Sequence, residues 1–202
     1  MRIIKDITED ETIAAFLKAE IGSFRFGEKI HQQLKADGRE RSTIDDPDIS
    51  SKEPNDYRRF LLGKYRGYGE NRGLFRHFPK NVSWKRVVLD KEDLKRMKYI
   101  NYDYWVELSG GSRLIIDVAK NIIEEFEVFK QSNRNFWEVV EALKRGVNFP
   151  ESILVTADEH SDLFVLEVHL RLTTYLMEPR FVPERFEVII GFSEGLRRWG
   201  LY

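Results

Sequence analysis

The chain has 202 residues, 42% of them hydrophobic and 33% charged, with 33 Lys and Arg against 34 Asp and Glu and no cysteine. A chain of this length buries roughly 70% of its unfolded surface, enough for a core without covalent staples. The near-zero charge balance excludes a protein that coats nucleic acid with its whole surface, and the missing cysteines exclude disulfides, thiolate metal sites and thiol nucleophiles. No apolar run reaches the length of a membrane span, and the start Met1-Arg2-Ile3-Ile4-Lys5-Asp6 lacks the apolar stretch of a signal peptide. The expectation is a soluble, cytoplasmic protein.

Thr8 followed by Glu11 is a capping-box pattern, and Ile13, Phe16, Leu17 and Ile21 recur at helical spacing after it. Gly22-Ser23 interrupts. Phe24 to Leu34 resumes a helix that Gly38 ends. Residues 39–56 are crowded with Asp, Ser and Pro and read as a loop, followed by a short helix from Tyr57 to Leu62. Gly63, Gly67, Gly69 and Gly73 break up residues 63–81, which read as a long ordered loop.

The second half is more regular. Val82 to Leu89 has the composition of a strand, and Asp90 caps a helix through Met97. The aromatic run Tyr102, Tyr104, Trp105 reads as core. Ser109-Gly110-Gly111-Ser112-Arg113 is a turn, Leu114 to Phe126 a helix, and Asn135 to Lys144 another that Gly146 ends. Ile153-Leu154-Val155 and Leu163 to Leu166 are apolar runs joined by a turn at Asp158 to Asp162, a hairpin pattern. His169 to Met177 is a helix starting directly after the second run, and Phe186 to Ile190 is a further strand. These elements predict an α+β domain with a mixed sheet over residues 82–202, preceded by a helical, loop-rich extension over residues 1–81.

Three constellations carry candidate chemistry. The first is Glu167-Val168-His169-Leu170-Arg171-Leu172-Thr173, where a strand hands over to a helix. A helix start presents unpaired N–H groups and a partial positive charge, which favours phosphate. His169 and Arg171 add donors, and arginine grips phosphate with two parallel bonds. The structural alternative is an ion pair between Glu167 and Arg171 across the helix start. The second is Ser109-Gly110-Gly111-Ser112-Arg113, where two glycines before a helix form a candidate anion nest. Glu107 precedes it. Gly-Gly turns also arise for purely geometric reasons.

The third constellation runs from Tyr57 to Arg86. It holds nine cations against one acid, Glu70, a local balance of +8, with seven aromatic residues interleaved. Cations beside aromatic faces are a pattern for single-stranded nucleic acid, with Arg66, Arg72 and Arg76 as its candidate contacts. The alternative is a loop whose aromatic rings plug the core and whose cations pair with acidic segments. The four histidines are scattered without metal-ligand spacing, so no protein-held metal site is expected. A Mg²⁺ carried in on a nucleoside triphosphate needs one carboxylate, for which Asp103, Glu107 and Glu167 are the candidates.

The apolar hairpin, the short motif ending in Arg171 and the following helix resemble the ParB/sulfiredoxin superfamily, whose members carry variants of Gly-x-x-Arg between a hairpin and a helix. The stretch from Phe136 to Gly191 gives the same order of elements, and Val82 to Met97 would supply the family's first strand and helix. The resemblance implies a ParB/sulfiredoxin-like mixed sheet with flanking helices. It also implies a site for a nucleotide or another phosphorylated ligand, with His169 and Arg171 on phosphate and Thr173 nearby. Phosphoryl transfer or hydrolysis would use Ser109, Gly110, Gly111, Ser112 and Arg113 for a second phosphate and Glu167 or Glu107 as base or metal ligand. Sulfinic acid repair is excluded here by the lack of cysteine. The family's glycine is Val168 in this chain. A β-branched residue resists the positive φ that glycine supplies, which leaves an interaction module with a vestigial pocket as the third reading.

Overall fold

The computed structural model describes every residue, Met1–Tyr202. It divides into two compact units, one of residues Ile7–Lys80 and one of Met1–Asp6 together with Asn81–Tyr202. No helix is long and apolar enough to cross a membrane.

The unit Ile7–Lys80 is helical. Helix α1 (Glu9–Glu20) opens with the expected capping box, in which the Thr8 hydroxyl accepts from the Glu11 amide and the Glu11 carboxylate accepts from the Thr8 amide. Helix α2 (Gly27–Ala36) follows the Gly22-Ser23 break, and α3 (Ser42–Asp45) is a single turn inside the stretch read as loop. Helix α4 runs Lys52–Arg66, well beyond the expected Tyr57 to Leu62. Its Pro54 lies in the first turn, where a missing N–H costs nothing. The buried Arg58 side chain donates to the carbonyls of Thr43 and Asp48, tying the acidic loop to α4. Gly67 ends the helix at φ 88°, and a Cβ there would collide with the Arg72 carbonyl.

The second unit is a six-stranded mixed sheet with helices. Its strands are β1 (Arg2–Asp6), β2 (Ser83–Leu89), β3 (Met97–Tyr99), β4 (Ser152–Thr156), β5 (Leu163–Glu167) and β6 (Phe186–Phe192), in the order β1-β2-β6-β4-β5-β3. The expected α+β class with a mixed sheet is present. β6 pairs antiparallel with β2 and parallel with β4; β4 and β5 form the expected antiparallel hairpin; β3 lies parallel to β5.

Two strands depart from the sequence reading. The sequence places residues 2–6 in the extension, but they pair antiparallel with β2 and belong to the sheet unit. The helix capped by Asp90 is α5 (Lys91–Lys95) and stops before Met97. Met97 to Tyr99 is then drawn into the sheet against Leu163 to Val165, where Met97 and Tyr99 are buried. Long-range pairing overrides local helical spacing at such short segments.

Helices α6 (Asp103–Leu108), α7 (Ile115–Ile123), α8 (Arg134–Lys144) and α9 (His169–Met177) complete the unit. Strand side chains alternate between faces. Val87, Leu89, Leu154, Leu163, Val165, Phe186, Val188 and Ile190 share one buried cluster with Val118 and Ile122 of α7, Phe136 and Val140 of α8, and Leu172 and Tyr175 of α9. Ser152 lies two residues before Leu154 on β4 and is fully buried. Its alternation puts a hydroxyl on the helix-covered face, beneath α9.

Candidate functional site

Strand β5 ends at Glu167 and α9 begins at His169, with Val168 alone between them. Val168 has φ 68° and ψ 43°, the left-handed region. The sequence predicts that valine would refuse this conformation; the chain adopts it regardless. A β-branched residue there is a steric outlier, and such strain persists only where the surrounding fold imposes it. No side chain caps α9, and the bond from the Leu172 amide to the Val168 carbonyl is long, at 3.5 Å.

Arg171, in the first turn of α9, is 6% exposed. Its Nη2 donates to the Ser152 Oγ at 2.5 Å, and its Nε is buried with no partner. The expected ion pair with Glu167 does not form, and Arg171 has no ion pair with any carboxylate. Burial pushes the guanidinium below its ordinary pKa, while Tyr175 and Glu151 act in the opposite direction. Tyr175, one turn further along α9, places its ring 5.9 Å from the guanidinium carbon and meets Phe186 edge-on at 5.4 Å.

Beside Arg171 is a cleft of about 440 Å³, within the range of small-molecule sites. Phe149, Tyr175, Phe181 and Phe186 give it aromatic walls, and Asn148 adds an amide. Its other charged lining residues are Glu151, Arg185 and Glu187. Glu151 is held by Arg86 of β2 through two bonds, Nε to Oε1 at 2.9 Å and Nη2 to Oε2 at 2.8 Å. Glu187 pairs with Arg185 at 2.5 Å. Arg171 is therefore the lining charge left without an opposite partner.

The remaining residues of the strand-to-helix motif turn elsewhere. The His169 ring is parallel to Trp105 at 5.4 Å, and Trp105 stacks on Tyr99 at 3.9 Å. Thr173 is fully buried; its hydroxyl donates to the His169 carbonyl and is hydrogen-bonded to the Tyr99 hydroxyl, so it is not placed to meet a phosphate. Glu167 is half-buried at the end of β5, outside the cleft lining. Glu107 is exposed on α6. Asp103, Glu107 and Glu167 belong to no cluster of three metal-ligating side chains.

The Gly-Gly turn is a helix ending. The Gly110 amide donates to the Glu107 carbonyl and the Gly111 amide to the Val106 carbonyl, the Schellman pattern that closes α6. Those two N–H groups cannot also cradle an anion. The Ser109 hydroxyl donates to the Val106 carbonyl and accepts from the Arg113 amide. The Ser112 hydroxyl donates to Asp117 and accepts from the Leu114 amide, fixing the entry to α7. Arg113 donates to the Tyr202 carbonyl and lies over the Phe164 ring. None of residues 109–113 lines the Arg171 cleft. Ser109→Ala is expected to cost about 1 kcal/mol, the worth of one buried hydrogen-bond set, with no change in anion affinity. Urea denaturation beside a binding titration checks both halves.

The basic stretch is largely satisfied internally. Arg66 pairs with the buried Glu20 at 2.9 Å and stacks on Phe26. Arg72 donates to the carbonyls of Gly63 and Lys64, closing the end of α4, and pairs with Glu70. Arg59 pairs with Glu9 and Asp10. Arg76 is exposed. The rings of Tyr68, Phe75 and Phe78 pack edge-on against one another, as core plugs do.

The cleft residues that sequence reasoning misses are Ser152, Glu151, Arg185 and Glu187, and it reads Arg86 only as a cation of the basic stretch. A signal existed for one of them. Ser152 is a small polar residue in phase with the buried face of an apolar strand, a position that demands a partner. No family model, curated protein or solved structure matches this chain.

Proposed function

We propose that this protein binds a nucleotide or another phosphorylated small molecule in the Arg171 cleft. The observation that carries the reading is a buried guanidinium that lines the cleft, bonded to a neutral hydroxyl and paired with no carboxylate. An unpaired buried charge is costly, and an anion entering the cleft supplies the missing counter-charge. Phe149 and Phe181, both half-buried in the lining, are the rings on which a planar base would stack. Both cleft carboxylates are held by arginines, which favours binding over general-base chemistry at this site.

The finer fold reading is part of the same proposal. A ParB/sulfiredoxin-like arrangement is supported by the order hairpin, left-handed residue, helix, strand, and by backbone at Val168 in the conformation the family reserves for glycine. Against it, the phosphate grip here falls to Arg171 and the cleft beyond α8, not to His169, Thr173 or the Gly-Gly turn.

Thermal unfolding and calorimetry with a panel of nucleoside mono-, cyclic mono- and triphosphates test the reading. A ligand at a hundred times its Kd stabilises by about 2.7 kcal/mol, which at this chain length raises Tm by about 5–10 °C. Absence of both heat and shift across the panel overturns it.

A further inference from the structure

We infer that the Arg171 cleft selects ligands whose anionic head carries a single negative charge, on a planar apolar body. This rests on the cleft being the anion site and sets the charge of its ligand; a carboxylate bound tightest would keep the cleft and overturn the phosphorylated reading.

The charges that line the cavity set the charge of its ligand. Arg171 and Arg185 face Glu151 and Glu187. Arg86 neutralises Glu151 from outside the lining, with both carboxylate oxygens engaged. Arg185 neutralises Glu187. One positive charge is left over, and it is the most deeply buried of the group. A head with one negative charge completes this balance. A triphosphate would bring further negative charges for which the lining has no unpaired cation into a partly desolvated site, where uncompensated charge is costly. The donors tell the same story. Arg171 commits Nη2 to Ser152 and encloses its Nε, so the guanidinium offers the cleft few donors, enough for one head. The rest of the lining is dominated by apolar and aromatic side chains, among them Val147, Phe149, Phe181 and Pro183.

A phosphodiester and a carboxylate share this chemistry, and the test separates them. Calorimetry on the full chain would compare 3′,5′-cyclic AMP, 5′-AMP, ATP with and without Mg²⁺, and 2-naphthoate at pH 7.5, where the phosphate monoester is largely doubly charged. The expected result is that cyclic AMP or 2-naphthoate binds at least about tenfold tighter than 5′-AMP and ATP. Cyclic AMP as the tightest arm assigns a phosphodiester head, and 2-naphthoate a carboxylate. A second arm uses Glu187→Gln, which removes one negative charge from the rim. It should shift the ratio of 5′-AMP to cyclic AMP affinity by about tenfold toward 5′-AMP. ATP or 5′-AMP binding tightest overturns the single-charge inference while leaving the Arg171 site standing. An unchanged ratio in the Glu187→Gln variant does the same. No binding in any arm overturns the site itself.

Discussion

Arg171→Met is expected to make the ligand-free protein more stable and to remove its response to anions. The wild-type side chain brings a full charge to a position 6% exposed, with one bond to the Ser152 hydroxyl and an Nε that bonds nothing. Replacing buried ionic groups by apolar residues of similar size is often stabilising by about 1–4 kcal/mol. The loss of the Ser152 partner offsets about 1 kcal/mol of that. The net gain expected is about 1–3 kcal/mol, read as a rise in Tm of about 2–4 °C for each kcal/mol. Binding moves the other way. Truncating one member of a buried, hydrogen-bonded charge pair costs about 2–5 kcal/mol, so a micromolar Kd moves to between tens of micromolar and millimolar. Arg171→Lys keeps the charge but loses the planar fork, and its affinity should fall between the two. A stability loss of 3–5 kcal/mol in Arg171→Met would identify the guanidinium as a structural strut and sink the binding site.

The sign of that effect is what separates Arg171 from the arginines of the helical unit. Arg58 is buried, Arg66 half-buried and Arg72 exposed, and each ends on carbonyls or a carboxylate. From sequence, all four look alike: cations between aromatic and apolar residues. What distinguishes Arg171 is which face of a strand Ser152 occupies and which arginine reaches Glu151, and both depend on pairings between β2, β4 and β6 that lie far apart in the chain.

Local signals fared better where they were strong. The Thr8–Glu11 and Asp90–Asp93 capping boxes, the β4–β5 hairpin and the strand-to-helix junction at 167–169 are all where periodicity and cap chemistry predict them. The strands β1 and β3 were illegible because each is short and sits at an edge, held by a neighbour's register. The Gly110-Gly111 turn was legible as a turn but ambiguous in purpose. The same two glycines serve an anion nest or a helix ending, and only the destination of their amides decides.

Val168→Gly is expected to stabilise the protein by about 1–2 kcal/mol while weakening anion binding severalfold. A residue held in the left-handed region stores strain of about 1–3 kcal/mol, and at φ 68° a β-branched side chain is among the least tolerant. Glycine releases that strain, less about 0.5–1 kcal/mol for the freedom it restores to the unfolded chain. The midpoint of urea unfolding should therefore rise at unchanged slope. Val168→Asn, which tolerates the same backbone, should rise as well, whereas Val168→Ile should not. Valine nonetheless has a consequence that glycine lacks. It stiffens the junction three residues before Arg171, and so fixes the start of α9 over Ser152 and the cleft. Trading that rigidity for stability is the usual cost at a functional position. A midpoint that falls in Val168→Gly would show that the junction carries no strain. A gain in anion affinity in the same variant would instead mark the present pocket as a degraded one, with valine as the lesion.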